Sequence, residues 1–192
     1  MSRIDDVKEK VSELYRARSP HRAEWADWLF ENHIFVVAEN ARRLSDRFGA
    51  KEDLAMAAAM LHDVADAVML REDEKHEEES ITIARRILSE CAFSEEEISV
   101  IVADAIRFHG CHGTNLPQTL EGKVMATADA MAHLQTDFYD YSLRTMQGKE
   151  PMTEICEWAL KKIERDYQKK IFFDDIRNEV IKDYERVKLL FT

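Results

Sequence analysis

The chain has 192 residues, 34% of them charged, and carries a formal net charge of −11. That length suits one domain with a core large enough to hide a polar site. The negative field repels a phosphate backbone and no basic patch offsets it, so duplex nucleic acid is excluded as the expected partner, while a small phosphorylated ligand held by metal ions remains compatible.

Five glycines, three prolines and no lasting apolar–polar alternation predict an all-α protein. The N-terminal MSRIDDVKEK is charged from its third residue, and no apolar run approaches the ~20 residues that span a bilayer. Cys91, Cys111 and Cys156 lie far apart without a C-x-x-C pair, as expected of a reducing cytoplasm. A soluble, cytoplasmic protein with no membrane partner follows.

Residues 4–18 read as an amphipathic helix with Ile4, Val7, Val11, Leu14 and Tyr15 on one stripe. Ser19-Pro20 predicts the start of a long helix over 20–48, which Gly49 stops. Asp53 caps a helix expected to end near Met69, and REDEKHEEES is a solvated break leading into a helix that ends near Ser89. Ser94 with Glu97 forms a capping-box pattern for a helix over 94–109. After the break GCHGTNLP the pattern predicts a long helix over 120–146, then helices over 153–169 and 173–191. Their stripe of Ile155, Trp158, Ala159 and Ile163 is expected to pack on the domain or on a second subunit in a homo-oligomer. The expected organisation is one helical bundle, with a core of about 20–147 and a C-terminal helical extension of about 151–192.

Polar groups interrupt three of the apolar faces. His33 and Asn40 fall inside the stripe of Leu29, Val36, Val37, Leu44 and Phe48. His62-Asp63 lies within AAAMLHDVADAV, beside the inward positions Leu54, Ala58, Leu61 and Ala65, with Asp66 three residues on. Asp129 sits among Ala126, Ala128, Ala130 and Ala132, small enough to admit another helix closely. Burying an unpaired carboxylate costs several kcal/mol, and a bound cation removes that penalty. Adjacent helical residues diverge by about 100°, so His62 and Asp63 can share an ion only at the edge of the packed face.

His33, the His62-Asp63 dipeptide and the distant Asp129, in that order and in the contexts LHDVAD and TLEGKVMATADAMAHL, resemble the HD superfamily of metal-dependent phosphohydrolases. Val64, Ala65 and Asp66 stand where many members have a glycine soon after the dipeptide. The resemblance implies an all-α HD-type bundle in which His33, His62, Asp63 and Asp129 hold a divalent ion (Mn, Fe, Co, Ni, Mg or Zn), hydrolysing a phosphate ester, nucleotides first. Some members hold two ions, and His76, His109 and His112 are the candidates here for the second metal or for substrate. The FHGCH cluster lacks a complete four-ligand zinc set.

Asp66 is the candidate for orienting or deprotonating the attacking water. His133, four residues after Asp129, is the candidate for orienting its carboxylate. Arg42, Arg43, Arg107, Lys123 and Arg144 are candidates for phosphate recognition. Two alternatives stay open: a metal-containing ligand- or partner-binding module without catalysis, and a two-iron oxygenase on the same scaffold.

Overall fold

The computed structural model describes residues 2–192. Among them are helices and turns but no strand, the sole β feature being an isolated bridge between Gln147 and Glu150. The helices are α1 (Arg3–Arg16), α2 (Ala26–Asn32), α3 (Ile34–Phe48), α4 (Glu52–Leu61), α5 (His76–Glu90), α6 (Glu95–Ser99), α7 (Leu120–Gln135), α8 (Phe138–Met146), α9 (Met152–Arg165), α10 (Asp174–Glu179) and α11 (Ile181–Lys188). α6 continues as a π-helical stretch, Val100–Ile106, and α9 as another, Asp166–Lys170. No described helix is long and apolar enough to cross a membrane.

The local signals act as expected at several ends. Ser94 accepts from the Glu97 amide while Glu97 reaches back to the Ser94 amide, and Gly49 closes α3 at φ 77°. Four helices expected to be continuous are broken instead, one of them, over 173–191, at Val180 between α10 and α11, and the helix expected from residue 20 begins only at Ala26. The 20–48 helix bends at His33 (φ −123°, ψ −59°), yet His33 N–H still donates to Leu29 and its carbonyl still accepts from Val37. The opening helix of the His-Asp pair stops at Leu61 and passes into a 3₁₀ turn, Val64–Ala67, whose Ala65 N–H is taken by Ser80. The 120–146 helix breaks at Thr136, whose hydroxyl donates to the Ala132 carbonyl and accepts from the Phe138 amide, ending one helix and starting the next.

α3, α4 and α7 pack against one another at the centre. Ala57, Ala58 and Ala59 of α4 and Ala126, Ala128, Ala130 and Ala132 of α7 are all fully buried, so no side chain holds these helices apart. α7 is buried on every side from Val124 to Leu134. The C-terminal extension joins the same core through Ile155, Ala159 and Ile163, and Thr127 of α7 ties it down, donating to the Lys170 carbonyl and accepting from Phe172 N–H.

Candidate functional site

The helix ends set the site. Because α4 stops at Leu61, His62 and Asp63 escape the divergence an unbroken helix would impose. His62 Nδ1 lies 2.8 Å from the Ala59 carbonyl, one of the orphan acceptors at the end of α4, which leaves Nε2 to face Asp63 and Asp129. His109 repeats the device where its helix ends, with Nδ1 2.6 Å from the Ile106 carbonyl. Two sets of ligand atoms gather as a result: His33, His62 and Asp129, all buried, and His62, Asp63 and His109.

Asp129 Oδ1 is the focus. It is 3.1 Å from His33 Nε2, 3.4 Å from His133 Nε2 and 3.8 Å from His62 Nε2, yet none of these nitrogens aims a hydrogen at it, and this buried oxygen accepts no hydrogen bond. A carboxylate oxygen ringed by imidazoles and lacking a donor is an arrangement a cation completes. Burial holds His33 below its ordinary pKa against the pull of Asp129. The same cause lowers His109 to about 4 and His133 to about 3. All three rings are therefore neutral at pH 7, the state in which imidazole ligates a metal.

Behind Asp129 lies a polar layer supplied by α9 and its π-helical continuation. His133 Nδ1 is 3.0 Å from Asp166 Oδ2, which also accepts from Tyr139 at 2.6 Å. Lys170, almost fully buried, donates to Asp129 Oδ2 and lies 3.7 Å from Asp166. Burial alone would raise Asp129 and Asp166, but neighbouring lysines and imidazoles hold both below the usual carboxylate range. Lys162 lies 3.5 Å from Asp166; burial outweighs that pairing and lowers it to about 8, still mostly charged at pH 7. His133 lies between Asp129 and Asp166, a second carboxylate not expected from sequence.

On the opposite side Arg71 bridges Asp63, at 2.7 Å, and Asp66. Against burial, the Arg71 guanidinium beside it holds Asp63 well below its ordinary pKa. Asp66 is fully buried, and His76 approaches it at 2.9 Å. Neither Asp66 nor His76 lines the cavity. The expectation that Asp66 handles the attacking water is corrected: the 3₁₀ turn rotates its carboxylate inward, where it fixes Arg71. His76 joins that same anchor and belongs to neither cluster of candidate ligand atoms.

A cavity of about 530 Å³ opens above Asp63 and Asp129, lined also by His33, His109, His112 and His133 and by Trp25, Phe138 and Trp158. Its size is that of a small-molecule site. Its cations are Arg71, Lys149, Lys162, Arg165 and Lys170. None is among the phosphate-binding candidates expected from sequence. Arg42 pairs with Glu39, Arg107 with Glu78 and Arg144 with Asp137, while Arg43 and Lys123 do not line this cavity. The missed cations had a faint signal: Lys162, Asp166 and Lys170 recur every four residues beside the buried stripe Ile155, Ala159 and Ile163.

A family model described as HD domain matches residues 30–134. That span holds every expected metal ligand and stops short of Lys162, Arg165, Asp166 and Lys170. Neither the curated proteins nor the solved structures contain a match to this chain.

Proposed function

The chain belongs to the HD domain family, and from that premise we propose that it is a metal-dependent phosphohydrolase cleaving a phosphomonoester or phosphodiester bond of a small metabolite, nucleotides first. The observation that carries this reading is Asp129 Oδ1, buried among three imidazole nitrogens and without a hydrogen-bond donor. His33, His62 and Asp129 would hold the ion, and Asp63 with His109 offers a second set that shares His62. When bound, a divalent ion polarises a phosphoryl oxygen and acidifies a water.

The chain's own groups supply the rest. Arg71, fixed by Asp66, and Lys162 place positive charge against an incoming phosphate inside an otherwise acidic protein. His133, steadied by Asp166, orients Asp129. Arg71 and Lys162 at the cavity wall suit a phosphate ester better than the neutral organic molecule that a two-iron oxygenase would oxidise.

Elemental analysis of the purified chain should find a divalent metal. A phosphate-release screen over nucleotides and sugar phosphates with Mn, Co, Ni and Mg should give a metal-dependent hit that His62→Ala and Asp63→Ala both abolish. Full metal content and activity in either variant would place the reaction elsewhere, and tight nucleotide binding without turnover would identify a binding module.

A further inference from the structure

The cations of the cavity are balanced with one exception. Arg71 faces Asp63 and Asp66, Lys149 faces Glu24, Lys162 faces Asp166, and Lys170 faces Asp129. Arg165 has no carboxylate within ion-pair distance among the described residues, in a chain whose 38 acidic side chains outnumber its 27 basic ones. Its Nε is buried without a hydrogen-bond partner. Its Nη1 lies 3.4 Å from His112 Nδ1.

The His112 ring is held back against Gly110, where a Cβ would come within 2.7 Å of ring Cδ2 and 2.8 Å of Nε2. Arg165 and His112 line both the metal-site cavity and a neighbouring cavity of about 740 Å³ that also carries Lys161 and Lys169. They form part of the wall that the two cavities share.

We propose that Arg165, with His112 beside it, is an anion subsite that takes a second acidic group of the substrate, separate from the phosphate under attack. The proposal rests on the hydrolase reading and deepens it: the substrate carries two anionic groups, one over the metal-ligand cluster and one against Arg165 at the shared wall. A guanidinium offers paired N–H donors that match a phosphate or carboxylate. His112, kept neutral by partial burial, turns its Nδ1 to Arg165 and steadies the guanidinium. Arg165 belongs to the C-terminal extension, outside the residues matched by the family model, so this selectivity is a feature of the extension rather than of the shared core.

The test is calorimetric binding to the full chain, with and without Mn, of orthophosphate and of alkane-α,ω-bisphosphonates of increasing length. The best-fitting bisphosphonate should bind about ten- to a hundredfold more tightly than orthophosphate, the range expected for a charge-assisted contact. Arg165→Met should erase that preference while leaving Tm unchanged, and Arg165→Lys should keep part of it. Gly110→Ala, which pushes the exposed His112 ring aside without altering charge, should weaken it less. An unchanged preference in folded Arg165→Met, or no preference in the wild-type chain, overturns the subsite. Binding needs no turnover, so a preference that vanishes in Arg165→Met keeps the subsite even where phosphate release fails and the hydrolase reading falls.

Discussion

Replacing Asp66 by Asn separates an anchor from a reagent. The Asp66 carboxylate is fully buried; Oδ1 lies 3.1 Å from Arg71 Nε and 2.9 Å from His76 Nε2, and Arg71 also closes on Oδ2. Removing one partner of a buried ion pair costs about 3–5 kcal/mol. The Arg71 side chain is 33% exposed, and solvent screening reduces the expected cost to about 2–3 kcal/mol. At about 2–4 °C per kcal/mol for a chain of this size, Tm should fall by about 4–12 °C.

The loss should also depend on pH. Burial alone would lower the pKa of His76, but its bond to Asp66 outweighs burial and raises it. A raised folded-state pKa stabilises fully below the unfolded value of about 6.5, and that stability is lost as pH rises through the folded value. The gap between wild type and Asp66→Asn should therefore be widest in mild acid. It should narrow above about pH 6.5 without closing, because Arg71 stays charged throughout. Thermal melts of both proteins across this range, with metal content and turnover measured on the same samples, decide the matter. A variant of normal stability that keeps its metal and loses turnover would refute the anchoring role and restore Asp66 to the chemistry.

Lys170→Met leaves Asp129 and Asp166 short of one buried cation and should destabilise the chain by about 3–5 kcal/mol. Added Mn should raise the Tm of this variant more than that of the wild type, and equal shifts would show that Lys170 and the ion do not balance the same carboxylate. His133→Ala should weaken metal binding by about 10–100-fold in a metal titration, with little change in the fold. With Lys162 near 8, phosphate-ester KM should rise as pH climbs through about 8, and this rise should be absent from Lys162→Met. Arg107→Ala, which removes only exposed pairings with Glu77 and Glu78, should leave turnover intact and change stability by no more than about 1 kcal/mol in a urea melt.

The four expected ligands could be read from the chain because each is a polar residue on a face whose other members are apolar, and helical periodicity exposes such a mismatch. Periodicity also misled. It assumes that a helix continues, so it ran unbroken helices through His33, His62, Thr136 and Val180, where the backbone departs. It placed Asp66 beside Asp63, as three-residue spacing does on an α-helix, whereas the 3₁₀ turn sends Asp66 inward. The cations were missed for a different reason. Arg71 lies in a stretch that reads as a solvated break, and Lys162, Arg165 and Lys170 lie in a tail whose apolar stripe explains its packing without them.

Composition and helical periodicity were sufficient for the helical class, the identity of the central helices and the residues that pay a penalty for burial, since these depend on near neighbours along one element. Tertiary packing alone decided that Asp129 Oδ1 is left without a donor among His33, His62 and His133, that Asp66 holds Arg71, and that the extension closes over the site with Lys162, Arg165 and Lys170. A carboxylate's role depends on which charges reach it and whether water does. Those charges come from residues up to 41 positions away in sequence, as with Lys170 and Asp129, where no local pattern connects them.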